Sequence, residues 1–127
     1  MIQQGTNLNI IDNSGAKCVS CIKVLNGYKS RYAFVGDVVV VSVKSLRSKR
    51  KLNAKVKKGS IQTALIIRSK FKVTRFTNDK IYFFENSAII LTKKNKVLGT
   101  RIFGVLPHYL RQTRYLKLIS LSSGVVY

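Results

Sequence analysis

The run Val38-Val39-Val40-Val41-Ser42-Val43 restricts the fold more than any other stretch of this chain. Side chains alternate between the two faces of a strand, so this run is apolar on both and needs cover on two sides. A small closed β-barrel with further elements packed outside it supplies that cover. Other segments read as strands of the same kind. Ala64-Leu65-Ile66-Ile67 and Ala88 to Leu91 are short apolar runs bounded by turn residues. The segment Ala16 to Leu25 alternates, with Ala16, Cys18, Ser20, Ile22 and Val24 as the expected core face and Lys17, Val19, Cys21, Lys23 and Leu25 as the other. It is entered through Asp12-Asn13-Ser14-Gly15 and left at Asn26-Gly27, both turn signals.

The second half of the chain adds a ribbon and a short helical region. Lys70 to Phe76 alternates polar with apolar residues, turns at Thr77-Asn78-Asp79 and returns as Ile81 to Phe84. Pro107 suits the first position of a helix over His108 to about Arg114, with Tyr109, Leu110 and Tyr115 supplying its contacts. The expected fold is mostly β: a small closed antiparallel barrel, five or six short strands, a protruding β-ribbon and one or two short C-terminal helices. With neither repeat nor linker in its 127 residues, the chain reads as a single domain, 1–127.

Charge determines what such a scaffold presents. Lys plus Arg number 24 against 4 Asp plus Glu, a formal net charge of +20 that repels itself in any compact state unless an anion screens it. Disorder is the usual fate of such charge, but a hydrophobic content of 46% in ordered runs offsets the entropy of folding. The cations are grouped. Lys44, Arg47, Lys49, Arg50, Lys51, Lys55, Lys57 and Lys58 lie in one stretch without an acid; Arg68, Lys70, Lys72 and Arg75 lie along the ribbon. Arg31 and Tyr32 belong to a mixed cationic and aromatic loop, YKSRY, and Lys17 and Lys23 to the second strand. These are the candidate contacts to a polyanion, made by phosphate neutralisation and counterion release. For RNA, contacts of this kind read the shape of the backbone.

Catalytic groups are scarce. Asp12, Asp37 and Asp79 each sit in a turn where a structural role suffices, Glu85 stands alone after Phe84, and His108 has no acid or thiol near it in sequence to orient it. Cys18 and Cys21 form a C-x-x-C, but on a strand residues three apart face opposite sides and no second pair completes a metal site. No cofactor, metal or membrane partner is expected. No run approaches the roughly 20 apolar residues of a membrane span and Met1 to Ile11 is unlike a secretory signal, so a soluble intracellular protein is expected. Two other readings remain open. A free-standing barrel could stack single-stranded bases on Tyr32, Phe71 or Phe84; an RNA-processing enzyme would have to work through His108.

Four segments, LNIIDNSGAKCVSCIKVL at 8–25, RYAFVGDVVVVSVK at 31–44, KVKKGSIQTALIIR at 55–68 and GTRIFG at 99–104, are similar to the universal large-subunit ribosomal protein fourteen family. The resemblance implies a five-stranded barrel with a ribbon and small C-terminal helices, binding to large-subunit ribosomal RNA, and a place on the face toward the small subunit. It also implies a bridge to small-subunit RNA, neighbouring ribosomal proteins as partners, and a ribosome-silencing factor docking at Thr100, Arg101 and Lys117. The chain departs from the family pattern at Asp79, where a glycine is usual, at Ser87, where Asn or Thr is usual, and in a lengthened Lys44 to Lys58 segment. Abundant Lys, Asn, Ile, Tyr and Phe suggest an AT-rich organellar genome. A mitochondrial ribosome is the first expectation, ahead of plastid and bacterial ones.

Overall fold

A computed structural model describes residues 1–48, 53–74, 78 and 80–127. Five strands, β1 (Asn7–Ile10), β2 (Ala16–Val24), β3 (Val38–Leu46), β4 (Ile61–Arg68) and β7 (Ser87–Leu91), close into a barrel in the order β1-β2-β3-β4-β7. Between β4 and β7 lie β5 (Val73–Thr74) and β6 (Lys80–Ile81), which pair with each other. After the barrel come β8 (Val105–Pro107), a 3₁₀ helix at His108–Gln112, α1 (Lys117–Leu121) and β9 (Gly124–Val126), and β8 pairs with β9 in parallel.

The sequence pattern pointed to antiparallel pairing, and four of the barrel's ladders are antiparallel. The closing pair, β1 with β7, is parallel. A ring with an odd number of strands cannot alternate direction all the way round, so one parallel neighbour is a topological necessity. It falls on the shortest ladder, Asn9 opposite Ser87 and Ile10 opposite Ala88. Asp12 reinforces the seam. Its fully buried carboxylate accepts hydrogen bonds from Ser14 N (3.0 Å), from the Ser14 hydroxyl and from Ile90 N (3.0 Å), tying the β1–β2 turn to β7.

The interior is aliphatic. Leu8 and Ile10 of β1, Val39, Val41 and Val43 of β3, Ala64 to Ile67 of β4 and Ala88 to Leu91 of β7 are all buried. Each large side chain so buried contributes about 1.5–3 kcal/mol relative to exposure. β4 and β7 have the two-sided cover expected of apolar runs. Leu98 N donates to Ile90 O, Ile102 pairs with Asp12, and Ile102, Leu106, Leu110 and Leu118 are buried around them. On β3 the cover is one-sided: Val38, Val40 and Ser42 are half-buried.

The expected core face of β2 is corrected. Its buried residues are Ala16, Val19, Cys21 and Val24, at spacings of three, two and three, while Ile22 is 43% exposed. Against β3 the register shifts between Ala16 and Cys18, between Cys18 and Val19, and again between Cys21 and Lys23, so Lys17 and Ile22 are extra residues on β2 and Lys44 is one on β3. A bulge shifts alternation by one, and every residue beyond it changes face. Cys18 and Cys21 still face opposite sides, Cys21 buried with its thiol pKa raised by that burial.

Three further expectations are revised. Pro107 ends β8 as an extended residue before the 3₁₀ helix rather than opening that helix, which stops at Gln112. The short apolar C-terminal tail, for which the sequence indicated no strand, forms β9. The ribbon's return strand is Lys80–Ile81 only, with Tyr82 to Phe84 beyond its pairing. Arg75, Phe76, Thr77 and Asp79 lie outside the described residues, so the expected turn is represented by Asn78, whose φ is 63°.

Candidate nucleic-acid interface

Every described lysine is exposed, as is every described arginine except Arg47 and Arg68. Among the described residues one ion pair forms, Arg68 Nη1 to Glu85 Oε1 at 2.8 Å. The described acids are otherwise occupied within the fold. Asp12 is buried, and Asp37 accepts from Phe34 N (2.8 Å) and Asn26 Nδ2 (3.1 Å). The surface is therefore a field of uncompensated positive charge, suited to a polyanion.

The strand registers sort these cations to the two ends of the barrel. At one end the start of β2 meets the close of β3, the close of β3 the start of β4, and the start of β4 the close of β7; the close of β1 meets the start of β2 but lies beside the start of β7. Lys17, Lys44, Arg47, Lys55, Lys57 and Lys58 belong to this end, and sequence reasoning placed all of them in the interface. The chain between β3 and β4 is held at both of its roots by the β1–β2 turn: Arg47 N donates to Gly15 O and Lys55 N to Ser14 O, each at 2.9 Å. Val56 is buried beneath it. Lys49, Arg50 and Lys51, the densest part of the expected arm, lie outside the described residues.

Arg47 serves the fold as well. Its Nη2 donates to Ile10 O at 2.7 Å and its guanidinium lies 5.3 Å from the Phe103 ring centre. Beside it, Asn9, Ile11, Lys17, Leu46 and Glu85 help to line an open groove of about 730 Å³.

The opposite end carries Lys23, Arg31, Tyr32, Lys70 and Lys72, all exposed, while Arg68, at the close of β4, reaches the same Phe103 that Arg47 approaches. Exposed aromatics gather here. Tyr28 is 90% and Phe84 91% exposed; Phe34 packs on Phe71 with ring centres 5.9 Å apart; Tyr82 meets Phe84 edge-on at 6.1 Å; Lys72 Nζ lies 5.6 Å from the Tyr82 ring. Cations among exposed aromatics can meet both backbone and bases. Tyr109 anchors the nearby surface, its hydroxyl donating to Val35 O, and burial together with Asp37 raises its pKa.

Arg68 differs from its neighbours because its guanidinium is spent internally. With its side chain 12% exposed, it donates to Phe103 O (2.8 Å), Val105 O (2.9 Å) and Glu85. Glu85, read from sequence as isolated, is its partner. Burial pushes the Glu85 carboxyl up, but Ser87, Asn9 and Arg68 outweigh it and hold it below the usual carboxylate range. Arg68 thereby clamps the GTRIFG segment to the barrel. Gly104 has φ of 84°, and a Cβ there would come within 2.0 Å of Arg68 Nη2.

Thr100, Arg101 and Lys117 are exposed on neighbouring segments. The Thr100 hydroxyl accepts from Asn13 Nδ2 (2.7 Å), the Arg101 guanidinium lies 5.5 Å from the Phe103 ring, and Ile102 N donates to Leu121 O, one helical turn beyond Lys117. His108, read as a surface or capping residue, is half-buried with its ring 4.6 Å from that of Tyr127.

Sequence reasoning passed over Lys93, Lys94 and Lys96 as a plain turn. All three are exposed on a tight loop at the Lys57 end, and the signal was present in KKNK itself. A family model described as ribosomal protein L14p/L23e matches residues 1–126. On that match, over a closed five-stranded barrel sheathed in unpaired cations, the chain belongs to the ribosomal protein L14p/L23e family and is a structural component of the large ribosomal subunit.

Proposed function

We propose that this protein, acting as one domain over residues 1–127, binds large-subunit ribosomal RNA, faces the small subunit and contributes an RNA-contacting bridge to it. The observation that carries this reading is the exposure of nearly all described cations without carboxylate partners, on a barrel whose registers fix their directions. Lys44, Lys55, Lys57 and Lys58 at one end, and Lys23, Arg31, Lys70 and Lys72 at the other, are the contacts. Arg47 and Arg68 act chiefly by bracing the surface, since their guanidinium groups donate to backbone carbonyls. Neighbouring ribosomal proteins complete the environment, and the face of Thr100, Arg101 and Lys117 is the docking place for a silencing factor. The amino-acid usage favours a mitochondrial ribosome.

Six to ten phosphate contacts give a log–log salt slope of about −4 to −7 for a ribosomal RNA fragment, using the single-strand coefficient as the lower guide. A slope near zero, or sedimentation away from large subunits at moderate salt, would defeat the reading. The near-complete exposure of Phe84 and Tyr28 favours one alternative, a free-standing single-strand module. That alternative calls for tight binding to generic single strands, with quenched tyrosine fluorescence.

A further inference from the structure

The loop after β7 is a small rigid turn. Thr92 N donates to Lys96 O (2.7 Å), Asn95 N to Thr92 O (2.8 Å) and Lys96 N to the Thr92 hydroxyl (3.2 Å), while Leu91 pairs with Val97 across its base. Asn95 takes the left-handed position, φ 57°, which asparagine tolerates better than most residues. Lys93, Lys94 and Lys96 thus project from five residues that cannot collapse to bring their charges apart or inward, and all three are exposed.

A second rigid turn lies alongside it. Gly59 N donates to Val43 O (2.8 Å), and Lys57 O accepts from both Ser60 N (3.2 Å) and the Ser60 hydroxyl (2.7 Å), leaving Lys57 and Lys58 exposed at its tip. The β4–β7 ladder ends with Thr63 opposite Leu91, so the chain enters β4 beside the point where it leaves β7. Lys55, just before one turn, donates its Nζ to Leu98 O, just after the other, at 3.1 Å. Two basic turns, distant in sequence, are held side by side by register and by a side-chain bond.

The neighbourhood distinguishes the ligand. Of the described acids, Asp12 is buried, Asp37 lies just before β3, and Glu85 pairs with Arg68 at the far end of β4 from Ile61. The well-exposed described aromatics Tyr28, Tyr32, Phe34, Phe71, Tyr82 and Phe84 lie in the segments before β3 and between β4 and β7, and Tyr127 lies beside His108, next to Pro107, which shares a cavity with Phe71; the exposed large apolar residue near the two turns is Ile61. A surface with clustered cations and, among the described residues, no exposed ring has nothing on which to stack an unpaired base, but it can neutralise backbone phosphates.

We propose that Lys93, Lys94 and Lys96, together with Lys57 and Lys58, form one continuous phosphate-binding surface whose ligand is the sugar–phosphate backbone of double-stranded RNA. The proposal rests on the reading that the protein binds ribosomal RNA and assigns one end of the barrel to duplex backbone.

The test uses the full chain and two probes, an arbitrary RNA duplex of about 16 base pairs and an unstructured single strand of equal length. The variant Lys93→Gln/Lys94→Gln/Lys96→Gln should keep the wild-type circular dichroism spectrum and bind the duplex more weakly, with the log–log salt slope reduced by about two to three. Lys57→Gln/Lys58→Gln should reduce it by about one to two. An unchanged duplex slope in the Lys93/Lys94/Lys96 variant, while wild type keeps a steep one, overturns this surface and leaves the general RNA-binding reading intact. A reduction confined to the single strand overturns the duplex assignment. A wild-type slope near zero on both probes overturns the underlying reading along with it.

Discussion

Arg68→Leu should cost about 3 kcal/mol of folding stability, and the structure indicates how that loss divides. The guanidinium makes three charge-assisted hydrogen bonds, a class worth about 1.5–3 kcal/mol each when shielded from solvent. The bond to Phe103 O is the most enclosed and sits in that range; the bond to Val105 O is at the surface and contributes less. The Glu85 side chain is 41% exposed, so its pairing is screened and belongs near the bottom of the scale, about 0.5–1 kcal/mol. Leucine retains part of the apolar contact made by the arginine stem, which keeps the total from rising further. For a chain of this size the melting temperature should fall by about 10 °C. Urea unfolding followed by circular dichroism should show a lower midpoint at an unchanged slope, because the surface exposed on unfolding is the same. Glu85→Gln isolates the pair. The folded carboxyl is held below its unfolded value, so its contribution is complete above about pH 4.3 and disappears as pH falls through the lower folded pKa. Wild type should therefore exceed Glu85→Gln in stability at neutral pH and lose that advantage in acid. An Arg68→Leu midpoint within about 0.5 kcal/mol of wild type would refute the clamp, as would an advantage over Glu85→Gln that grew on acidification.

Asp12→Ala should destabilise by about 2–4 kcal/mol, because Ile90 N–H and Ser14 N–H would be left buried without the carboxylate, and chemical denaturation would measure it; a loss below about 1 kcal/mol would contradict its role at the seam. Gly104→Ala should cost about 2 kcal/mol or more, since the new Cβ displaces the Arg68 guanidinium and the backbone is left-handed there; combined with Arg68→Leu the two losses should be clearly less than additive in a double-mutant cycle.

The closed barrel was legible because three of its strands announce themselves as apolar runs between turn residues, and because a run apolar on both faces has few architectures to choose from. What stayed hidden was of two kinds. Alternation in β2 predicted Ala16 and Val24 correctly but the wrong face from Cys18 to Ile22, since bulges change its phase and change it back, and nothing in AKCVSCIKV says that Lys17 and Ile22 are the residues without partners. The bulges follow from β2 having to curve with the barrel against β3, a requirement set by closure and not by local sequence. The roles of Arg68 and Glu85 were hidden for a different reason. Each was judged by its sequence neighbours, as a ribbon cation and as a lone acid, but their bonds reach residues 17 to 76 positions apart.

The same distinction separates what the charge pattern says of the surface from what it says of individual side chains. A chain with 24 cations and 4 acids cannot pair them all, so an exposed positive surface follows from composition alone. Which cations are available is a separate matter of geometry: Arg47 and Arg68, whose guanidinium groups suit several carbonyl acceptors at once, are drawn into the fold, whereas every described lysine is left outside. Arg47 and Arg68 brace the scaffold, while Arg31 and the described lysines stay exposed. The surface contact should accordingly depend on the number of charges more than on directed hydrogen bonds, which suits recognition of a backbone by its shape.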